Sequence, residues 1–190
     1  TIPNMVVLRP ADANEVAQAW MLALERDIGP TALVLTRQSL PTIDRARFGS
    51  AEGLQKGAYI LTDLGDETPQ LILMASGSEV EIILEAGVRL ASDGISVRMI
   101  SFPSWKLFEA QSAEYRQQVL PAEIRARVAI EAGVTLGWDR WIGDDGAVIG
   151  IDHFGESAPY EELYAHFGLT ADNVVQKAQE VLYRIESSAL

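Results

Sequence analysis

One arginine in the sequence stands where α/β proteins bind anionic ligands. Arg37 directly follows an apolar run, residues 31–36, that is typical of a buried strand. Ligands of open α/β sheets bind at the carboxyl ends of the strands, and a guanidinium can hold a phosphate or carboxylate through two parallel hydrogen bonds. Arg37 is therefore our candidate substrate-binding residue. The alternative, from position alone, is an arginine paired with an acid at a domain interface.

Two further polar segments follow predicted strands. Residues 77–79, Gly-Ser-Glu, open a helix, where backbone N–H groups can bind an anion. The simpler interpretation is N-capping by Ser78, with Glu79 favoured by the helix dipole. Glu131 ends another predicted strand. Glu131 could be an acid at an interface or behind a site. A carboxylate that faces solvent or accepts a local hydrogen bond fits the position equally well.

The segment 152–159 contains an acid beside a histidine. Asp152 and His153 are adjacent, so along a strand they would point to opposite faces, and no nucleophile is near them in the sequence. We interpret the segment as a structural loop, with Ser157 capping the next helix and Pro159 in its first turn. Nearby aromatic residues are assigned to the core or to a subunit interface: Trp138, Trp141, Phe154, Tyr160, Tyr164 and Phe167.

The sequence contains no complete catalytic centre. It has no cysteine and two histidines, which excludes a thiol nucleophile and a His-rich metal site. No Gly-x-Ser-x-Gly, Gly-x-Gly-x-x-Gly or Walker motif follows a predicted strand. We therefore predict no catalytic, cofactor-binding or metal-binding residue in this chain.

Charge and hydropathy narrow the possible partners. The formal net charge of −12 argues against nucleic acid and against an anionic membrane. No apolar run approaches the roughly 20 residues that a membrane helix needs, and the N-terminus has no signal-peptide pattern. We expect a cytoplasmic protein. Because the sequence does not begin with Met, we expect it to start within a longer protein.

A partial α/β unit positions Arg37. Asp12, with Glu15 three residues later, is a capping-box-like start for an amphipathic helix. The Gly-Pro pair at residues 29–30 stops this helix. The predicted order is strand, helix, strand, over residues 5–8, 13–26 and 31–36.

A second, larger unit follows a stretch without clear periodicity. We predict a linker over residues 51–68, with a short strand at 57–61, so that the two domains are residues 1–50 and 69–190. In the second domain apolar runs alternate with helical stripes, which predicts an α/β fold with a mostly parallel sheet and helices on both faces. Its predicted strands are residues 71–75, 96–100, 126–130 and 147–151, and its predicted helices 80–90, 106–111, 113–120, 159–167 and 171–185.

Several segments together resemble the C-terminal part of a transketolase. Each alone is short, but they occur in the expected order across nearly the whole chain. The matching segments include Arg9-Pro10-Ala11-Asp12, Leu35-Thr36-Arg37-Gln38 with Leu40-Pro41, Ala75-Ser76-Gly77-Ser78-Glu79-Val80, Val128-Ala129-Ile130-Glu131-Ala132-Gly133 and Phe154-Gly155-Glu156-Ser157-Ala158-Pro159.

The resemblance implies a three-domain α/β enzyme that works as a homodimer. Such an enzyme transfers a two-carbon ketol unit between phosphorylated sugars, in the pentose phosphate pathway and the Calvin cycle. It uses thiamine diphosphate and a divalent cation, Mg or Ca. Residues 1–50 would be the tail of its pyrimidine-binding domain and residues 69–190 its C-terminal domain. The arginine of the family's Ser/Thr-Arg-Gln motif contacts the substrate phosphate and matches Arg37.

The same resemblance limits what this chain does alone. The family's diphosphate- and metal-binding motif is absent from the sequence, so we expect the chain by itself to be inactive and to bind no cofactor. Related thiamine enzymes, 1-deoxyxylulose-5-phosphate synthase and the β subunit of 2-oxo acid dehydrogenases, share the third domain. The Arg-Pro-Ala-Asp and Thr-Arg-Gln-x-Leu-Pro segments favour transketolase. A different class of protein, a stand-alone α/β domain that binds an anion or a partner subunit, stays open.

Overall fold

A computed structural model describes residues 2–188 as two α/β units. The first unit contains strands β1 (Val6–Leu8) and β2 (Thr31–Leu33), which pair in parallel, and helix α1 (Ala13–Glu25) between them. Strand, helix and strand thus occur in the predicted order. This small unit carries Arg37, which follows the last residue of β2, Leu33, after three residues outside the strand.

Strand β2 is shorter and more exposed than the sequence predicted. It ends at Leu33, and the apolar residues Val34 and Leu35 that follow are about half exposed. Within the described residues β2 pairs with β1 alone, so these side chains have no second layer of chain packed over them. The prediction of a buried strand over residues 31–36 was therefore wrong in both length and burial.

The start of α1 follows the predicted capping box. Asp12 Oδ1 accepts a hydrogen bond from the Glu15 N–H at 2.9 Å, which satisfies one of the unpaired donors of the first turn. Glu15 Oε2 reaches back and accepts from the Ala11 N–H at 2.8 Å. Both carboxylates are buried, so this helix start is fixed by groups that also face the second unit.

The predicted linker over residues 51–68 is largely ordered secondary structure. Residues Ala51–Lys56 form a 3-10 helix, and Tyr59–Leu64 form strand β3 in the sheet of the second unit. The alternating side chains of Tyr59 and Leu61 are buried in the core of that unit, which holds the strand in place. The short predicted strand at 57–61 is confirmed, but as an edge strand rather than part of a linker.

The second unit is a five-stranded sheet in the order β3-β5-β4-β6-β7. Strands β4 to β7 are parallel where they pair, and β3 runs antiparallel to β5 at one edge. The predicted mostly parallel α/β fold is confirmed. The remaining elements are β4 (Leu71–Ala75), α2 (Glu79–Ser92), β5 (Val97–Ser101), α3 (Trp105–Glu109), α4 (Ala113–Val119), β6 (Ala126–Ile130), α5 (Asp139–Ile142), β7 (Ala147–Ile149), α6 (Tyr160–Phe167) and α7 (Ala171–Ser188).

Helices cover both faces of this sheet because its central strands are apolar on both sides. In β4, Leu71 and Leu73 face the core built with α2 and α7, whereas Ile72 and Met74 face the core built with α3, α4 and α5. Every side chain of β4 is buried. The sheet is consequently rigid at its centre, and polar residues appear where its strands end.

The last two helices begin differently. Thr170 Oγ1 accepts from the Asn173 N–H at 3.2 Å and caps the start of α7. Ser157 does not cap α6, because Pro159 occupies the N-cap position with an extended ψ of 144°. Within residues 2–188 no helix is long and apolar enough to cross a membrane.

Candidate functional site

Arg37 lies on the surface at the carboxyl end of the β1–β2 pair. It is exposed, and within residues 2–188 no carboxylate lies within 4.0 Å of its guanidinium and no hydrogen bond engages it. Within this part of the chain Arg37 is therefore not paired with an acid, and its role as a substrate-binding residue stays a prediction. A solvated guanidinium at a strand edge retains its full set of donors for a ligand.

The neighbours of Arg37 are held by side-chain hydrogen bonds. The Thr36 hydroxyl donates to Gln38 Oε1, and Gln38 Nε2 donates to the Tyr164 hydroxyl at 3.1 Å. Tyr164 belongs to α6, in the second unit. The segment that carries Arg37 is therefore attached to the other unit by the residue next to the arginine.

A different arginine, Arg9, occupies the interface between the two units. It directly follows β1, and its guanidinium donates to Glu79 Oε2 at 3.1 Å and to Glu131 Oε1. The side chains of Arg9, Glu79 and Glu131 are 19%, 0% and 15% exposed. Burial lowers the pKa of Arg9, but the attraction of the two carboxylates outweighs it, and the net shift is upward. Arg9 is thus a permanent cation between the fully buried Glu79 and the partly buried Glu131.

The backbone around Arg9 also joins the units. The Arg9 N–H donates to the Pro103 carbonyl at 3.0 Å, and the Arg9 carbonyl accepts from the Gly77 N–H at 2.9 Å. Gly77 has a positive φ of 59°, and a side chain there would project towards the Arg9 guanidinium. The Gly-Ser-Glu segment at residues 77–79 therefore binds a side chain of the first unit.

Glu79 is the centre of this interface. Its Oε2 accepts from Arg9 and from the Ala132 N–H at 3.0 Å, and its Oε1 accepts from the hydroxyls of Ser78 at 2.8 Å and Tyr164 at 2.6 Å. Ser78 stands at the N-cap of α2 but makes no capping hydrogen bond through its side chain. The predicted capping role of Ser78 is therefore wrong, because its hydroxyl is directed to the carboxylate instead.

Glu131 has three partners and does not face solvent. Besides Arg9, Ser76 Oγ lies 3.2 Å from its Oε1, and the Trp138 indole N–H donates to its Oε2 at 2.6 Å. The interpretation of Glu131 as an interface acid is confirmed, and the solvent-facing alternative is excluded. Trp138 is fully buried, as predicted for a core aromatic residue.

A second polar network joins the units beside α1. Glu15 Oε1 accepts from the hydroxyls of Tyr59 at 2.6 Å and Ser101 at 2.7 Å, and Arg45 pairs with Asp12 at 2.8 Å. Burial raises the pKa of Glu15 despite these hydrogen bonds, and burial together with Glu15 raises that of Tyr59. Glu15 thus contacts the second unit directly, whereas Asp12 is linked to it through Arg45, which also donates to the Tyr59 hydroxyl.

The adjacent acid and histidine of the loop after β7 do not form a catalytic pair. Asp152 accepts from the N–H and the hydroxyl of Thr135, both at 2.8 Å, and these bonds lower the pKa of Asp152. His153 Nδ1 lies 2.8 Å from the Phe154 carbonyl and is exposed. Phe154 is 97% exposed, so the core alternative is wrong for this residue, and its assignment to a subunit interface stays a prediction.

The arrangement can bind an anion but holds no complete set of reacting groups. Among residues 2–188 no three His, Cys, Asp or Glu side chains are grouped so that they could hold a metal ion. Sequence reasoning missed Arg9 and the role of Tyr164. The available signal for Arg9 was its place directly after β1, because Arg37 was selected by the equivalent rule after β2.

Fold and site together define a two-unit α/β protein whose first unit carries an exposed arginine after β2 and is joined to the second unit by partly buried ion pairs. Residues 57–170 match the family model described as transketolase-like TK C-terminal domain, and residues 1–42 match the transketolase pyrimidine binding domain. The chain belongs to the transketolase family.

Curated relatives are similar over nearly the whole chain. The transketolase of Geobacillus stearothermophilus is 49% identical over 181 residues, which are 95% of this chain and 27% of that protein. The transketolase of Aquifex aeolicus is 47% identical over 180 residues, 95% of this chain and 26% of that protein. The chain thus spans about a quarter of the length of these relatives.

Solved transketolase structures share the fold. The Leishmania mexicana enzyme superposes with a TM-score of 0.85 and 39% identity, over 96% of this chain and 26% of that chain. The Pichia stipitis enzyme in complex with sedoheptulose-7-phosphate superposes with a TM-score of 0.86 and 32% identity, over 97% of this chain and 26% of that chain. A split gene transketolase, described as an inactive beta4 tetramer, superposes with a TM-score of 0.76 and 25% identity, over 96% of this chain and 59% of that chain.

Proposed function

We propose that this chain is part of a transketolase in which Arg37 binds the phosphate group of the sugar substrate. The observation that supports this most strongly is the exposed guanidinium at a strand end, with no acid partner within the described residues. The Pichia stipitis relative was crystallised with a sugar phosphate, which has the anionic group that such an arginine binds. The complete enzyme would transfer a two-carbon ketol unit between phosphorylated sugars.

Thiamine diphosphate is the cofactor that we propose for the complete enzyme. The match of residues 1–42 to a pyrimidine-binding domain supports this assignment. The described residues do not fit a divalent cation, because none of their acidic and histidine side chains form a ligand group. We therefore assign no step of the reaction to a cofactor held by this chain. A homodimeric enzyme in the cytoplasm, active in the pentose phosphate pathway and the Calvin cycle, remains our prediction.

An apolar surface on the first unit supports the same proposal. Large apolar side chains of β1, α1, β2 and the residues beside them are exposed: Val7, Trp20, Met21, Leu24, Ile28, Val34 and Leu35. A surface of this kind marks a contact with more protein. We propose that the rest of the pyrimidine-binding domain covers it in the complete enzyme. This favours a transketolase over a stand-alone anion-binding domain.

The phosphate role is tested by Arg37→Ala in the complete enzyme. A charged hydrogen-bonded contact contributes about 1.5–3 kcal/mol, so we expect KM for a phosphorylated sugar to rise about tenfold to about 150-fold. KM for an unphosphorylated ketol donor should not change. The matched control is Arg47→Ala, at another exposed arginine that makes no ion pair within residues 2–188. An unchanged KM for phosphorylated sugars in Arg37→Ala would show that the assignment is wrong.

A further inference from the structure

The segment that carries Arg37 has very little attachment to the rest of the chain. Before it, the Val34 N–H donates to the Leu8 carbonyl at 2.8 Å, and after it, the Ile43 N–H donates to Asp12 Oδ2 at 2.9 Å. Between them, residues 35–42 make two hydrogen bonds in the described structure, and Gln38 takes part in both. The side chain of Gln38 therefore makes the hydrogen bonds that attach this segment.

The Gln38 amide is fixed at both ends. Its oxygen accepts from the Thr36 hydroxyl, on the other side of Arg37 in sequence, and its NH₂ group donates to the Tyr164 hydroxyl. The first contact closes a short turn around Arg37. The second connects that turn to α6 of the other unit.

Tyr164 is itself held firmly. Its hydroxyl donates to Glu79 Oε1 at 2.6 Å, and Glu79 is fully buried and bonded to Arg9 and to the Ala132 N–H. Burial and the Glu79 carboxylate raise the pKa of Tyr164 to about 12, so the hydroxyl keeps its proton at neutral pH. Tyr164 thus uses its own proton for Glu79 and leaves its oxygen as a fixed acceptor for the Gln38 NH₂ group.

We propose that Gln38 and Tyr164 are positioning residues through which the second unit fixes Arg37 for the substrate phosphate. This inference rests on the proposed function of Arg37. If a segment becomes ordered only when the ligand binds, the free-energy cost of ordering it lowers the affinity for the ligand. A segment that is already held in place does not carry this cost. The second unit then contributes to substrate affinity through the hydrogen bond between Tyr164 and Gln38, without contacting the substrate phosphate itself.

The direct test is Tyr164→Phe in the complete enzyme. Phe keeps the ring and its edge-to-face contact with Tyr160 but removes the hydroxyl. The variant loses the hydroxyl's contacts with both Gln38 and Glu79. Loss of the neutral hydrogen bond to Gln38 predicts a rise of about two- to tenfold in KM for a phosphorylated sugar. The kcat value and KM for an unphosphorylated ketol donor should stay at the wild-type level. Gln38→Met leaves the Tyr164–Glu79 contact intact, removes the hydrogen bonds of Gln38 to Tyr164 and Thr36, and should give the same pattern.

Tyr183→Phe is the matched control. Tyr183 is exposed on α7, and its hydroxyl has no hydrogen bond within residues 2–188, so its loss should leave both KM values unchanged. A general effect of hydroxyl removal would appear in this variant as well. A change confined to Tyr164→Phe and Gln38→Met supports the positioning role.

Combining variants separates this inference from the function on which it rests. If Tyr164 acts through Arg37, adding Tyr164→Phe to Arg37→Ala should not raise KM further. A further rise in that background would overturn the inference, because Tyr164 would then act by another route. The inference would also be overturned if KM rises in Arg37→Ala but not in Tyr164→Phe, and this result would leave the phosphate role of Arg37 intact. If Arg37→Ala leaves KM unchanged, the proposed function of Arg37 is itself wrong.

Discussion

Arg9→Met removes the guanidinium that lies between Glu79 and Glu131 where the two units meet. Met retains most of the aliphatic length of the side chain, so the substitution acts mainly on charge and hydrogen bonding. Glu79 would keep its donors from Ser78, Tyr164 and the Ala132 backbone, but it would lose the cation that neutralises it. Glu131 would keep Trp138 and lose the same cation.

The expected loss follows from how deeply these groups are buried. The Glu79 side chain is 0% exposed and that of Arg9 is 19% exposed, so water cannot replace the missing charge. Removing one partner of a buried ion pair costs about 3–5 kcal/mol, because the remaining charge is left uncompensated. We expect the free energy of unfolding of Arg9→Met to fall by about this amount at pH 7.

A surface arginine with the same number of acidic partners provides the control. Arg89 lies within 4.0 Å of Glu85 and Asp172, but its side chain is 43% exposed and both partners are more exposed still. We expect Arg89→Met to lose no more than about 1 kcal/mol, which is typical of solvated ion pairs. Urea unfolding followed by tryptophan fluorescence measures both variants, because Trp138 contacts Glu131 at the site of the change.

The comparison between the two variants decides the question. A loss in Arg9→Met no larger than in Arg89→Met would refute the argument that burial makes the Arg9 contacts stabilising. A large loss in Arg9→Met that disappears when Glu79→Gln and Glu131→Gln are added would support it directly. In that triple variant no charge is left unpaired, although the hydrogen bonds are altered.

Two further predictions concern the other contacts of the first unit. Burial raises the pKa of Glu15, so the folded chain keeps the proton of this carboxyl group to a higher pH than the unfolded chain does. As pH rises above the ordinary pKa of 4.5, the wild type should therefore lose stability relative to Glu15→Gln. Urea unfolding of both proteins at pH 5 and pH 8 measures this, and a difference that does not change with pH would contradict it. The side chain of Leu24 is 81% exposed, so Leu24→Lys should change the free energy of unfolding of the 190-residue chain by less than about 0.5 kcal/mol. In a complete enzyme the lysine would be buried, and the same substitution should lower that free energy by at least about 2 kcal/mol. Thermal unfolding of both proteins tests this, and an equal effect in the two would mean that nothing covers this surface.

Local sequence pattern predicted most of the fold because most of its elements carry their own signals. The capping pair Asp12 and Glu15, the apolar strand at residues 71–75 and the Asp-Gly end of α2 each depend on neighbours within a few positions. Strand β3 was assigned to a linker because its pattern is mixed and its partner β5 lies about 40 positions later. An edge strand of this kind is defined by the sheet that it joins rather than by its own composition.

The interface could not be predicted from local pattern. Arg9 is separated from Glu79 by 70 positions and from Glu131 by 122, and Gln38 is separated from Tyr164 by 126. Charged residues at strand ends look the same in sequence whether they face solvent, a ligand or each other. Position after a strand selected Arg37 and Glu131, but only the packing of the two units distinguishes a free guanidinium from a neutralised one.

The two arginines that follow β1 and β2 explain why we propose the ligand site in the first unit. The carboxyl edge of an open α/β sheet is its usual ligand site, and in the second unit Ser76 and Glu131 directly follow β4 and β6 at that edge. Arg9 fills that edge and bonds to both residues, so an anion could enter only by displacing a buried ion pair. The strand ends of the second unit therefore join the two units, whereas Arg37, which follows β2 in the first unit, makes no hydrogen bond or ion pair within residues 2–188.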